Sequence, residues 1–210
     1  MILKTKILTS KDNYFFENSI VYSLTGSLEL AKLFSMLCSN QSSFGTYVEK
    51  LLYNALPFDI IAYDYIGKGV RNVQPQTDIL KVDRKKIKID GKIPDIIIVD
   101  NKKKIIIIYE SKIKADKSDT KKIDGDIAGH IKMQKELQKK CPEYKVSFKI
   151  LSFLPATGTH LETWKTRGAD IITGKDFCKL YGISYNDIIT KVTNNRQSNL
   201  EELKLLFPCI

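Results

Sequence analysis

Two carboxylates and a lysine stand at the ends of two apolar runs in the middle of the chain. Asp95 precedes the run 96–99, and Glu110 follows the run 105–109. If these runs are antiparallel strands joined by a tight turn, Asp95 and Glu110 reach the same end of the hairpin. Lys112 projects to the same face as Glu110, because side chains alternate along a strand. The spacing predicts two convergent carboxylates with an ammonium group beside them.

Such a group of side chains favours a divalent cation. Two carboxylates that face one direction repel each other unless a cation neutralises them, and Mg²⁺ prefers oxygen ligands. A bound Mg²⁺ would hold a phosphate, lower the pKa of an attacking water and offset the charge that develops at phosphorus. Lys112 would hold the water or a non-bridging phosphate oxygen. The predicted reaction is hydrolysis of a phosphodiester, with Mg²⁺ as the cofactor.

The residues Pro94, Asp95, Glu110 and Lys112 match the signature of the PD-(D/E)xK nuclease superfamily. Over the hairpin and its flanking helices the chain resembles that superfamily, and its size and basic charge look most like a type II restriction endonuclease. The resemblance implies a restriction-endonuclease-like α/β fold, with a mixed central sheet flanked by helices. It also implies Mg²⁺-dependent, site-specific cleavage of double-stranded DNA, and usually a homodimer. In such a site the metal ligands would be Asp95, Glu110 and the backbone carbonyl of Ser111.

Glu49 is a candidate fourth participant in catalysis. It lies at the flank of the apolar stripe of a predicted helix, beside Gly45, where the missing side chain would let another element approach. Superfamily members often place a glutamate from an early helix near the metal. A solvated charge paired with Lys50 or Tyr53 is an equally good interpretation of Glu49.

Three further residues are weaker candidates for the site. Asp78 and Asp83 are alternative first acids, but neither is joined to Glu110 by a simple tight turn. His130 could contact the site or DNA, yet a histidine at the flank of a helix is more often packed or solvated. We therefore leave His130 outside the predicted catalytic set.

The charge of the chain favours a polyanionic partner. Lys and Arg outnumber Asp and Glu by 34 to 24, which gives a formal charge of +10. Basic stretches at 81–92 and 112–122 flank the hairpin and could contact phosphates, although a solvated surface is the ordinary interpretation of such stretches. The candidate DNA-binding residues are Lys85, Lys86, Lys88, Lys114 and Lys117.

Length and composition predict one domain over residues 1–210, with the catalytic hairpin at about 93–113 and C-terminal helices at about 174–207. The four cysteines form no CxxC pair and there are two histidines, which argues against a zinc site. No apolar run is long enough to cross a bilayer, so we expect a cytoplasmic protein with no membrane partner.

Apolar spacing predicts the elements that position the site. We expect an early helix over 27–38 with Ser27 as N-cap, a second helix over 42–56, and a helix over 126–140. The buried side of the first helix would carry Leu30, Ala31, Phe34, Leu37 and Cys38. The chain should form strands at Ile87 and Ile89 and over 93–99, 104–112, 145–154 and 170–172, with the hairpin central in the sheet. Helices should follow Thr173, which would cap the first of them, Ser184 and Ser198, where Ser198 and Glu201 have capping-box spacing.

Two other functions remain open. A Holliday-junction resolvase or repair nuclease would use the same fold and chemistry on another DNA substrate. A basic DNA-binding module without catalysis would need the acids only for structure, and Mg²⁺ would then leave the DNA uncut. A restriction enzyme should also be accompanied by a cognate DNA methyltransferase, because the host must protect its own sites.

Overall fold

The computed structural model describes residues 7–8, 11–61, 78–83, 89, 93–115, 120–156 and 159–208. The contacts divide the chain into two compact units, residues 1–51 with 186–210 and residues 52–185. The expectation of one domain over residues 1–210 stays a prediction.

The first unit is helical. Among its described residues the helices with known bounds are α1 (Asn13–Glu17), α2 (Ile20–Thr25), the larger part of α3 (Leu28–Ala55), most of α7 (Tyr185–Thr193) and α8 (Arg196–Leu206). Side-chain oxygens cap the first three, because free backbone N–H groups at a helix start need acceptors. Ser27 Oγ accepts the N–H of Leu30 at 3.2 Å, so the predicted N-cap of α3 is confirmed.

Helix α3 differs from the prediction in two ways. It runs unbroken for 28 residues, where we expected two helices, because it contains no proline and one glycine costs only about 1 kcal/mol. The predicted buried side of its first half is also wrong except at Ala31. The side chains of Leu30, Phe34, Leu37 and Cys38 are exposed, whereas Met36 and Asn40 are buried. Apolar side chains occur on more than one side of this half, and spacing alone does not say which side packs.

Helix α7 begins at Tyr185, directly after Ser184 as predicted. The predicted start of α8 is wrong, because this helix begins at Arg196 and contains Ser198 in its first turn. Asn195 occupies the N-cap position without a side-chain cap hydrogen bond. Capping-box spacing alone therefore does not fix this helix start, and helix boundaries are the least reliable part of a sequence interpretation.

The second unit contains a six-stranded mixed sheet. Its strands are β1 (Asp59–Ile61), β2 (Ile79–Val82), β3 (Ile96–Asp100), β4 (Ile105–Lys112), β5 (Lys145–Ser152) and β6 (Asp170–Thr173), and they lie in chain order. Strand β3 is antiparallel to both of its neighbours, β2 and β4. The other three neighbouring pairs, β1 with β2, β4 with β5, and β5 with β6, are parallel. The predicted α/β class, mixed sheet and central hairpin are confirmed. Of the strand expected at Ile87 and Ile89, Ile87 lies outside the described residues, and Ile89 is buried in an isolated bridge.

Helices cover both faces of this sheet. Helix α4 (Thr120–Lys140) packs Met133 and Leu137 against Ile106 and Ile108 of β4. It begins before the predicted Asp126, whereas its predicted end is confirmed. Helix α5 (Thr159–Thr166) follows β5, and helix α6 (Gly174–Leu180) contributes to the opposite face. Among the described residues, no helix combines the length and apolar character that crossing a membrane requires.

Helix α6 begins in close contact with the end of β5. Thr173 Oγ1 accepts the N–H of Asp176 at 3.1 Å, which confirms the predicted cap. A Cβ at Gly174 would overlap the carbonyl oxygen of Phe153 and lie 2.9 Å from its Cα. Gly182 follows the helix with φ +67°, a left-handed conformation that glycine adopts without strain. The predicted end of this helix is thereby confirmed.

Two glutamines of α4 contact the first half of β5. Gln134 Nε2 donates to the carbonyl of Val146 at 2.8 Å, and Gln138 Oε1 accepts the N–H of Val146 at 3.2 Å. The N–H of Lys145 points to β4, where it donates to the carbonyl of Lys104. Because backbone groups alternate along a strand, those of Val146 point away from β4. The two amides therefore satisfy backbone groups that β6 does not reach, since β6 first pairs with β5 at Lys149.

Candidate active site

The hairpin brings Asp95 and Glu110 to the same end of the sheet. The β3–β4 ladder pairs Ile96 with Tyr109, and one further step places Asp95 opposite Glu110. Asp95 Oδ2 accepts the backbone N–H of Ser111 at 2.7 Å, so its carboxylate lies against β4 directly beside Glu110. Opposite residues of an antiparallel pair project to the same face. The predicted pair of acids is therefore brought together.

Lys112 lies between two carboxylates. Its Nζ is 2.7 Å from Glu110 Oε1 and 2.9 Å from Asp126 Oδ2 on α4. The side chains of these three residues are each one-fifth exposed or less. The ammonium group is therefore held in one place, where a solvated lysine would sample many rotamers.

His130 contacts the other oxygen of Glu110. Its Nε2 is 3.1 Å from Glu110 Oε2, and its ring stacks on Phe148 with the ring centroids 5.4 Å apart. The side chain is 2% exposed, and Nδ1 has no hydrogen-bond partner among the described residues. Because a carboxylate oxygen accepts, Nε2 is the donor in this contact.

The contacts of the cluster determine its charge. Burial acts to raise the pKa of Glu110, but the hydrogen bond from His130 and the charge of Lys112 outweigh it and lower that pKa to about 2. Burial acts to lower the pKa of Lys112, but Glu110 and Asp126 outweigh it, and the pKa is raised. Both groups are therefore charged at neutral pH. The ammonium group of Lys112 contacts the carboxylates of Glu110 and Asp126, and the carboxylate of Asp95 lies beside Glu110 on the N–H of Ser111.

An aromatic cluster supports the strand behind the site. Tyr109 points to the face opposite Glu110, and its hydroxyl lies 2.7 Å from that of Tyr181. Its ring meets Phe177 of α6 edge to face, with centroids 5.1 Å apart. Burial is the largest cause that raises the pKa values of both tyrosines, that of Tyr181 to about 12, so both hydroxyls remain protonated.

The segment after β4 is also anchored. Trp164 of α5 is fully buried, and its Nε1 donates to the carbonyl of Ala115 at 2.9 Å. The N–H of Ala115 in turn donates to Ser152 Oγ of β5 at 3.1 Å. The chain that leaves Lys112 is thereby fixed on both sides of its backbone.

The alternative first acids lie further from Glu110. The N–H of Asn101, in the turn of the hairpin, donates to the carbonyl of Asp78, which places Asp78 at the opposite end of the sheet. The β2–β3 register, continued by two residues from the pair of Lys81 and Ile98, puts Asp83 beside the start of β3. Strand β3 therefore separates Asp83 from β4. The geometry favours Asp95 as the partner of Glu110.

Of the five lysines predicted to bind DNA, the structure describes one. Lys85, Lys86, Lys88 and Lys117 lie outside the described residues, and Lys114 is half-buried just after β4. Lys81, which begins the first basic stretch, is buried and donates to the carbonyls of Leu56 at 2.7 Å and Tyr53 at 3.1 Å. Burial lowers its pKa. The interpretation of Lys81 as part of a phosphate-binding surface is therefore wrong, because its ammonium group binds the C-terminal end of α3.

Glu49 lies on α3 in the first unit and is buried, whereas the three other predicted catalytic residues lie in the second unit. Its place in the catalytic set stays a prediction. We expected another element to approach the helix at Gly45, and this is wrong within the described residues. No described atom lies within 4 Å of the position that a Cβ would take there.

The structure adds Asp126 and His130 to the residues that the sequence predicted. Within the described ranges, no group of three or more His, Cys, Asp or Glu side chains is arranged to hold a metal ion. The carbonyl of Lys112 accepts the N–H of Phe153, so it points to β5. Backbone groups alternate along a strand, and the Ser111 carbonyl therefore points to the side of Asp95.

No family model, curated protein or solved structure matches the chain.

Proposed function

We propose that the chain is a Mg²⁺-dependent endonuclease that hydrolyses double-stranded DNA at specific sites, as a type II restriction enzyme with a restriction-endonuclease-like fold does. The observation that carries this proposal is the meeting of Asp95, Glu110 and Lys112 at one end of the central hairpin. A mixed sheet flanked by helices is also what the resemblance to the PD-(D/E)xK superfamily implies.

The donor set fits Mg²⁺ in its chemistry. The carboxylates of Asp95 and Glu110 and the carbonyl of Ser111 are all oxygen ligands, which Mg²⁺ prefers, and two carboxylates side by side favour a cation between them. These three residues would hold the ion. When bound, Mg²⁺ supplies a Lewis acid that lowers the pKa of water and offsets charge on the phosphate.

The chain's own side chains then orient the reactants. The charged ammonium group of Lys112 binds the attacking water or a non-bridging phosphate oxygen, and it needs no reorganisation because Glu110 and Asp126 already hold it. The formal charge of +10 attracts the DNA, and Lys85, Lys86, Lys88, Lys114 and Lys117 are the candidate phosphate contacts. Two strands of opposite polarity are cut most simply by a homodimer, and a cognate DNA methyltransferase would protect the host.

One observation favours a function of another class. Both oxygens of Glu110 are already engaged by Lys112 and His130, as they would be in a purely structural ion network. A basic DNA-binding module without catalysis would need no more than this. Metal dependence distinguishes the two functions, because only an enzyme changes the covalent state of its DNA.

The test is cleavage of plasmid DNA and of a four-way junction by the purified chain. We expect discrete plasmid fragments with Mg²⁺, none in EDTA, and binding with little cleavage in Ca²⁺, which activates water poorly. Asp95→Asn, Glu110→Ala and Lys112→Ala should each lower the cleavage rate more than about 100-fold, the usual upper limit for residues that only support a ligand. Asp78→Asn, at the opposite end of the sheet, should cleave like the wild type.

Full cleavage in EDTA, or by all three variants, would remove the proposed mechanism. Selective nicking of the junction would instead identify a resolvase, and DNA binding without cleavage would identify the non-catalytic module. Light scattering on the DNA complex should show a dimer.

A further inference from the structure

We propose that Asp126 and His130 of α4 are positioning residues, which hold Lys112 and Glu110 in the geometry that catalysis requires. This inference rests on the proposed function. One contact joins Asp126 to Lys112 at 2.9 Å, and the other joins His130 to Glu110 at 3.1 Å. Each side chain of β4 that faces the site therefore has its own partner on the helix.

The spacing of the two pairs explains why a helix can make both contacts at once. Asp126 and His130 are four residues apart, so they share a helix face and are separated by about 6 Å along its axis. Glu110 and Lys112 are two residues apart on a strand, a separation of about 6.6 Å. The two steps match, and two rigid elements that run in opposite directions meet at both pairs.

The same face of α4 continues into the hydrophobic core. Met133 and Leu137 follow His130 at helical spacing, and both are buried against the sheet. The position of the polar pair is therefore set by core packing, and a shift of the helix would break the two contacts together.

The environment of His130 favours orientation of its neighbour over a role on the surface. The ring is 2% exposed and stacked on Phe148, so it has little freedom to turn. Its Nε2 contacts Glu110, whereas Nδ1 has no hydrogen-bond partner within the described residues. The imidazole therefore fixes Oε2 of Glu110, while Lys112 contacts Oε1. Partners of metal ligands typically change metal affinity or activity by roughly 10- to 100-fold when they are replaced.

The two residues should affect different quantities. His130 acts through a proposed metal ligand, so His130→Leu should weaken Mg²⁺ binding by roughly 10- to 100-fold. His130→Gln keeps an N–H donor and should recover most of that loss. Asp126 acts through Lys112, so Asp126→Asn should lower kcat by roughly tenfold with KM for DNA unchanged.

The experiment measures Mg²⁺ binding to the whole chain by calorimetry without DNA, followed by kcat and KM. Asp124→Asn is the matched control, because Asp124 lies on the same helix but is half exposed and pairs with Arg167 at 2.8 Å. Circular dichroism identifies variants that fail to fold, and the comparison of His130→Gln with His130→Leu avoids dependence on one variant.

Failure of this inference differs from failure of the proposed function. Wild-type Mg²⁺ affinity in His130→Leu and wild-type kcat in Asp126→Asn would overturn the positioning role, while an inactive Glu110→Ala still supports the nuclease. Mg²⁺ binding without cleavage of any DNA would overturn the nuclease and with it the role of Asp126 in catalysis, while calorimetry on the His130 variants would still decide whether His130 positions a metal ligand. A wild-type chain that binds no Mg²⁺ would overturn both.

Discussion

Tyr109 and Glu110 are consecutive residues of β4, yet they enter opposite environments. Tyr109 packs among Phe177 and Tyr181 on the side of α6, whereas Glu110 contacts Lys112 and His130 on the side of α4. Both side chains are largely removed from water. The strand therefore separates an aromatic cluster from a charged one by the thickness of one backbone.

This difference shows how the molecule divides stability from chemistry. Aromatic burial is favourable by itself, because large apolar surfaces leave water. A buried ion network contributes little net stability, since desolvation offsets the attraction of its charges. We therefore infer that the aromatic side stabilises the strand on which the charged side depends, and variants on the two sides should behave differently.

The largest effect is expected from truncation on the aromatic side. Tyr109→Ala removes a fully buried ring and should lower the free energy of unfolding by about 3–5 kcal/mol. Tyr109→Phe keeps the ring and loses the hydroxyl contact with Tyr181, so it should cost only about 1 kcal/mol. Urea denaturation measures both values. Equal losses in the two variants would show that the hydroxyl pair, and not the ring, stabilises this side.

The charged side should show itself in the pH dependence of stability. The pKa of Glu110 is lowered from 4.5 to about 2, so ionised Glu110 stabilises the fold above about pH 4.5. This contribution is lost as the pH falls through about 2, and by linkage it amounts to a few kcal/mol at most. The difference in unfolding free energy between the wild type and Glu110→Gln should therefore become smaller as the pH is lowered from 6 to 2. A constant difference over that range would contradict the lowered pKa.

The smallest effects are expected when a glycine is replaced by alanine in α6 or in α4, the helices on the two faces of the sheet. Gly174→Ala should destabilise by about 1–3 kcal/mol, because its Cβ would overlap the backbone of Phe153. Gly125→Ala is the matched control in α4, where no described atom lies within 4 Å of the added carbon. It should stabilise the chain by up to about 1 kcal/mol, since alanine is the better helix former. Thermal melting compares them, and a stabilised Gly174→Ala would mean that α6 can move away from β5 freely.

Local patterns predicted the hairpin well. The isoleucine runs, the short turn and the alternation along β4 are all read within about twenty residues, and they place Asp95 opposite Glu110 as the ladder does. The cap at Thr173 and the end of α6 were also predictable, because a side-chain oxygen and a glycine act on their own neighbours.

Contacts between distant segments were not predictable in the same way. No motif in the sequence links Asp126 to Lys112, and the packing of α4 on the sheet brings the two side chains together. Lys81 was assigned to a surface because it opens a basic stretch, although its ammonium group binds carbonyls at the end of α3. Spacing identifies which residues share a face, whereas tertiary packing decides what that face meets.

The glutamine pair of α4 has a consequence for the behaviour of the sheet between molecules. A strand edge with unpaired backbone groups is a template on which a foreign strand can add, and this is how many proteins aggregate. At Val146 the amides of Gln134 and Gln138 occupy both backbone groups that such a strand would need. The two side chains thus imitate one residue of a missing neighbour strand, and they make this part of the edge a poor starting point for self-association.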